Sequence, residues 1–147
     1  MKVRQLLILA GGKGTRLGEE TKSIPKPLVK IFGEMSMLDL IIHRFAKNFS
    51  DVVILAGHLS EQISEHIEKQ YKDKYPNVRA LIEETPVGTA GPLKLHESQL
   101  DDFFLIMNGD TWLNADPNKM SFRYGQATKA QIAVMQVKNS GRYGSVY

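Results

Sequence analysis

Three observations predict an α/β fold on a mostly parallel central sheet: short apolar runs recur along the chain, helical periodicities separate them, and turn-rich segments follow directly. Residues 3–9 form the first run, which ends in a glycine cluster, as expected of a strand buried on both faces and followed by a tight turn. Met37, Leu40, Ile41, Phe45 and Phe49 trace a helical period interrupted by Arg44, and Ser36 is placed to cap it. A second strand is expected at 52–56. Leu59, Ile63, Ile67 and Tyr71 recur at intervals of four, which predicts an amphipathic helix beginning near Ser60. A third strand follows at 78–82, a helix at 89–100 with Pro92 in its first turn, and a fourth strand at 103–107. Asp116 and Pro117 make a cap and first turn for a last helix, residues 131–137 alternate like a strand, and 145–147 begin another. The alternation of strands and helices implies a Rossmann-like three-layer sandwich, its sheet twisted and covered on both faces. Ligands in such sheets sit beyond the carboxyl ends of the strands, so the loops after Leu9, Ile82 and Met107 carry the candidate site.

A chain of 147 residues suffices for one domain with a hydrophobic core. It has no apolar run of about eighteen residues and no signal-peptide pattern at its start, so the expectation is a cytoplasmic protein without a membrane partner. The absence of cysteine excludes disulfides, thiolate zinc sites and thiol nucleophiles, which leaves oxygen and imidazole ligands and favours a hard cation such as Mg²⁺. The formal charge of +3 reads as an ordinary solvated surface. Neither aromatic nor basic residues form a stacking platform or a long basic stripe, so nucleic acid is not an expected partner. His43, His58, His66 and His96 lack metal-ligand spacing and read as surface or packing residues.

The segment from Leu9 and Ala10 through Gly11, Gly12, Gly14, Thr15 and Arg16 to Leu17 sets three glycines and two cations after a buried strand. Backbone there can approach a ligand closely and aim N–H groups at phosphates, although a plain strand-to-helix turn has the same composition. The segment is not a Walker A loop, because the Gly-Lys-Ser/Thr ending is missing, and Leu17 breaks the dinucleotide glycine pattern. Lys26 lies between Pro25 and Pro27, whose fixed φ angles are expected to hold it in an extended, stiff segment. Asp110 ends the run before it, where a carboxylate can share a cation with phosphates or cap the following turn.

Taken together, the glycine loop, Thr21 and the Pro-Lys-Pro-Leu28 segment closely resemble the signature of the sugar-1-phosphate nucleotidyltransferase family. The stretch from Glu83 to Leu93 resembles that family's base-recognition loop, and 107–110 its metal-binding strand end; the resemblance runs from Leu6 to at least Gly144. It implies that residues 9–12 contact the nucleoside through backbone atoms, with Gly14 and Thr15 in the same loop, while Arg16 and Lys26 neutralise phosphates and Asp110 holds Mg²⁺. Those three are the implied catalytic residues, in an in-line transfer that needs no covalent nucleophile. Glu83, Gly88 and Thr89 are implied to face the nucleotide, and Asn108, Gly109, Tyr143 and Gly144 the sugar. Tyr143 and Gly144 also suit a simple turn before a strand, and Trp112 suits a site-shaping, core or rim position.

Glu83 stands five residues before Gly88, where the family places the side chain that reads the base. A carboxylate only accepts hydrogen bonds, matching the N1–H and 2-amino donors of guanine, whereas glutamine would suit uracil or thymine. GTP is therefore the expected donor, with Glu84 as the reader if the loop is shifted by one. The loop looks most like that of mannose-1-phosphate and heptose-1-phosphate guanylyltransferases, which implies transfer of GMP to a sugar 1-phosphate. The family's domain continues with a glutamate–lysine pair and a second metal-binding aspartate, so the nucleotide-binding portion is expected here without its sugar-binding portion. An incomplete sheet would leave an edge able to pair with a second copy. Two classes of function follow: an enzyme releasing pyrophosphate, or a noncatalytic nucleotide or nucleotide-sugar binder on the same fold.

Overall fold

The computed structural model describes residues 3–14, 18, 20–85, 88–112, 114, 116, 129–134, 136–137 and 141. Strand β1 occupies Gln5–Ala10. A single helical turn, α1 (Glu20–Ser23), precedes a 3-10 turn at Lys26–Leu28 and a small antiparallel hairpin of β2 (Lys30–Phe32) and β3 (Met35–Ser36). Helix α2 (Met37–Phe45) leads to β4 (Asp51–Ala56), and α3 (Ser60–Tyr71) to β5 (Val78–Ile82). A short α4 (Gly91–Leu95) and a 3-10 turn at Glu97–Gln99 precede β6 (Phe104–Asn108). The main sheet has the order β5-β4-β1-β6, and all of its pairings are parallel.

Period-two geometry sends successive side chains of the central strands to opposite faces, and both faces are covered. Leu6, Ile8, Val52 and Ile54 pack with Leu38, Ile41 and Ile42 of α2 and Ile63 and Ile67 of α3. Leu7, Val53 and Leu55 face the other way, against Leu93 of α4, Leu100 and Phe104. These three layers, with a parallel sheet between helices, are the architecture expected from the sequence. Double-sided burial also explains why the central strands read as continuous apolar runs.

Helix α2 starts in a capping box: Ser36 Oγ accepts from Asp39 N at 3.2 Å, and the Asp39 carboxylate accepts from Ser36 N at 2.8 Å. The same carboxylate receives Tyr71 OH and His66 Nε2, each at 2.6 Å, and so ties α2 to α3. Burial pushes the Asp39 carboxyl upward, but hydrogen bonds from His66, Tyr71 and Ser36 outweigh it and hold the group well below the usual carboxylate range. His43 Nδ1 lies 2.8 Å from Asp39 O, and its ring meets Tyr71 and Tyr75 edge-on. The packing role expected for these histidines therefore takes the form of specific helix-to-helix contacts. At the opposite end of the sheet from the strand carboxyl termini, Arg79 grips Asp51 with two bonds of 3.0 Å, and Gln5 Nε2 reaches the same carboxylate at 2.7 Å.

Several expected elements differ. The first strand runs one residue further than 3–9 and starts two later. Helix α3 does begin at Ser60 as expected, with Leu59 as its left-handed N-cap at φ 54°. The helix expected over 89–100 breaks into α4 and a 3-10 turn; Leu95 is 55% exposed, so a continuous helix would have little apolar face to bury. None of the described residues of 131–137 belongs to a strand, and Ile132 and Val134 are 79% and 70% exposed. Alternation specifies a strand only where a neighbouring strand and a buried face receive it, and no described strand pairs there. Asp116 is not helical, and residues 117–128 and 145–147 lie outside the described residues. No helix among the described residues is long and apolar enough to cross a membrane.

Candidate functional site

The parallel register aligns Ala10 with Ala56 and Ala56 with Ile82, and Leu9 with Asn108. Gly11, Gly57, Glu83 and Gly109 therefore leave the sheet together, and each following loop starts at the same rim. Glu83 N continues the ladder to Ala56 O, and Gly109 N to Leu9 O, both at 2.8 Å. A side chain at Gly109 would place Cβ 2.9 Å from the backbone oxygen of Leu9, so glycine is required for this close approach. Asn108 is the exposed last residue of β6.

The glycine loop is seated by its neighbours. Gly14 has φ +64°, and a Cβ there would lie 2.9 Å from Thr21 Cγ2 and 3.1 Å from Lys26 Cβ. Thr21, only 3% exposed, directs its hydroxyl to Gly14 O at 3.0 Å and Gly18 O at 3.2 Å. Gly12 has open space around it, leaving room for a ligand against the backbone. Thr15, Arg16 and Leu17 lie outside the described residues, as do Tyr143 and Gly144.

Lys26 is not extended, as the flanking prolines led us to expect. It opens a 3-10 turn in which Leu28 N donates to Pro25 O at 2.8 Å and Val29 N to Lys26 O at 3.2 Å; Pro27 occupies the first turn, where its missing N–H costs little. The lysine is nonetheless aimed: its Nζ lies 2.5 Å from Asp110 Oδ2. That hydrogen bond, opposed by partial burial and assisted by Thr111 Oγ1 at 3.0 Å, holds the Asp110 carboxyl below the usual range.

Glu83 is buried at 7% exposure, whereas its neighbour Glu84 is exposed. Its Oε1 lies 2.9 Å from where a Gly11 Cβ would stand and 3.5 Å from the corresponding point on Gly57. The carboxylate is thus packed beside the first glycine of the loop. Gly88 (φ +82°) and Thr89 are exposed on the same connection, while Pro86 and Val87 lie outside the described residues. Trp112 is 46% exposed.

No group of three or more His, Asp or Glu side chains among the described residues is arranged to hold a metal ion. Asp110 offers one partly exposed, anionic oxygen donor beside a lysine. That set fits Mg²⁺, which binds through one or two carboxylates together with substrate phosphates and water instead of an all-protein cage.

Sequence reasoning brought Lys26, Asp110, Glu83 and the glycine loop to one rim. It did not assign the hydroxyl of Thr21 or the close approach of Gly57 to Gly11, where a Gly57 Cβ would stand 3.0 Å from Gly11 Cα. Gly57 carried a legible signal, since it follows a buried apolar run as Gly11 does.

The strand ends of a parallel α/β sheet thus gather a glycine loop, a lysine and two carboxylates. The chain belongs to the nucleotidyl transferase family, whose profile matches residues 5–147. Mannose-1-phosphate guanyltransferases of Neurospora crassa and Saccharomyces cerevisiae are each 33% identical to it, over 95% of this chain and 40% of theirs. The chain thus spans 40% of the length of these curated relatives. Among solved structures, HddC from Yersinia pseudotuberculosis is similar at TM-score 0.67 and 29% identity, over 80% of this chain and 52% of that one; one of its structures is a complex with GMP-PN. The CTP:phosphocholine cytidylyltransferase LicC from Streptococcus pneumoniae is similar at TM-score 0.62 and 26% identity, over 78% and 48% of the two chains.

Proposed function

We propose that this chain is the nucleotide-binding portion of a guanylyltransferase that transfers GMP from GTP to a sugar 1-phosphate, releasing pyrophosphate. The observation that carries the reading is the Lys26–Asp110 pair beside the glycine loop at the strand ends. A metal–triphosphate carries both signs of charge and can exchange into such a pair, the ammonium moving to a phosphate oxygen and the carboxylate to the cation. Mg²⁺ is the cation that Asp110 would hold, and it would supply charge neutralisation to the phosphates.

The chemistry asked of the protein is positioning and electrostatic stabilisation. An oxygen of the sugar phosphate attacks the α-phosphorus in line, the new P–O bond forms, and the bond to the β-phosphate oxygen breaks. The glycine loop cradles the phosphates, its residues 9–12 contacting the nucleoside through backbone atoms, and Lys26 neutralises the phosphates, with Arg16 assigned to the same task from the family's pattern. Asn108, Gly109, Tyr143 and Gly144 are assigned to the sugar side on the same basis.

Guanine is favoured by the acceptor-only Glu83 carboxylate, buried beside Gly11. Similarity to proteins named mannose-1-phosphate guanyltransferase, and to a structure in complex with GMP-PN, supports that choice. Mannose 1-phosphate and heptose 1-phosphate are the acceptors to try first. The setting is the cytoplasm, where nucleoside triphosphates and Mg²⁺ are abundant.

The test is pyrophosphate release from GTP, Mg²⁺ and each sugar phosphate. Release that requires both substrates establishes the transferase. GTP binding without turnover would make this chain a nucleotide-binding unit whose transfer activity needs further residues, and absence of GTP binding would overturn the reading.

A further inference from the structure

We propose that Thr21 is a positioning residue that locks the glycine loop against Lys26 and thereby sets affinity for the triphosphate more than for the nucleoside, an inference that rests on the GTP reading above. Thr21 is a buried polar residue at 3% exposure, and its one hydroxyl proton is shared between Gly14 O at 3.0 Å and Gly18 O at 3.2 Å. Those two carbonyls flank the loop segment containing Arg16 in the sequence. The hydroxyl therefore holds Gly14, in the described part of the glycine loop, together with Gly18.

The methyl group of the same side chain does a second task. Thr21 Cγ2 and Lys26 Cβ lie 2.9 and 3.1 Å from the point where a Gly14 Cβ would stand, so loop, threonine and lysine are packed in one cluster. The backbone around Thr21 is anchored to the opposite wall. His58 Nε2 lies 3.4 Å from Thr21 O while His58 N reaches Gly11 O at 3.4 Å, and Gln62 Nε2 donates to Ser23 O at 3.0 Å. The loop is thus tied at Gly14 and Gly18 to Thr21 of α1 and at Gly11 to His58 in the connection between β4 and α3, while Gln62 of α3 holds α1. Fixing donors before the ligand arrives lowers the ordering cost of binding, and the gain falls on the ligand groups those donors meet.

A merely structural threonine would affect all ligands alike. Titration of the full chain with GTP in Mg²⁺ and with guanosine separates the two roles in the parent, Thr21→Val and Thr21→Ser. Removing the hydroxyl with Val is expected to weaken GTP by about tenfold and guanosine by less than about twofold, while Ser keeps both within about twofold of the parent. Equal weakening of both ligands by Val, or a GTP loss with Ser as large as with Val, would overturn the proposal. Should Thr21→Val not fold, Thr21→Ser decides: an unchanged GTP-to-guanosine ratio supports the hydroxyl's role, and a falling ratio overturns it. A parent that binds neither ligand overturns the GTP reading itself, and this inference with it.

Discussion

Lys26 Nζ and Asp110 Oδ2, separated by 84 positions in the chain, lie 2.5 Å apart across the mouth of the sheet. The lysine enters from a proline-flanked turn after the glycine loop, and the carboxylate from the loop after β6, so their meeting requires β6 to lie beside β1. On the proposed function, this pair is what a metal–triphosphate would meet.

Lys26→Ala and Asp110→Asn are each expected to lower pyrophosphate release at least about tenfold, or roughly 1.4 kcal/mol of barrier, wherever the parent turns over. The pH dependence carries a further mark. Lys26 holds the Asp110 carboxyl low, so the parent keeps an anion there as pH falls through the ordinary carboxylate range near 4. In Lys26→Ala the acid inflection of Mg²⁺-dependent GTP binding should move upward, and an unmoved inflection would remove Lys26 as the cause.

Glu83→Gln replaces an acceptor-only group with an amide that both donates and accepts. Competition among the four nucleoside triphosphates should show GTP preferred by the parent. The variant should lose GTP affinity by about tenfold, with uracil or thymine nucleotides gaining relative to it. A variant that keeps the parent's order of preference would take base reading away from Glu83.

Asp39→Ala should destabilise the fold by about 3 kcal/mol in urea titration, because buried donors on Ser36, His66 and Tyr71 lose a shared charged acceptor. The Asp39 carboxyl is depressed in the folded state, so its stabilisation is present above the unfolded-state value near 4 and is lost as pH falls through the folded value. Asp39→Asn should therefore flatten the acid limb of stability below about pH 4, measured by thermal unfolding across pH. A limb as steep as the parent's would place its origin elsewhere.

Arg79→Ala removes a bidentate but partly exposed ion pair at the far end of the sheet and should cost about 1 kcal/mol. Its GTP affinity should equal the parent's within about twofold, since register places Asp51 opposite Gln5 at the amino ends of β4 and β1. A tenfold change in affinity would show that the two ends of the sheet are coupled.

Much of the fold was legible because doubly buried strands and one-sided helices write their burial into residue spacing. The runs at 52–56 and 78–82 became β4 and β5 within a residue, and Ser36 capped α2 as expected. The pattern failed where burial is supplied from elsewhere. Residues 131–137 alternate but have no described strand to pair with, and the apolar residues of 89–100 do not make one continuous helical face. At the site, residue types led to an expectation of phosphate, cation and base chemistry, and spacing pointed to Glu83, with Glu84 in its place if the loop were shifted by one. Burial separates them, one packed at Gly11 and the other exposed.

The order of residues is enough to specify a parallel α/β layer structure and a set of chemically apt groups, because periodicity, capping and turn chemistry act over a few neighbouring positions. Which of those groups touch is a matter of strand order and register, set by the packing of distant segments. The β5-β4-β1-β6 order brings Asp110 to Lys26, Glu83 to Gly11, and His58, after β4, to the backbone of Gly11 and Thr21. Close approaches of about 3 Å depend on that long-range packing, which local spacing does not encode.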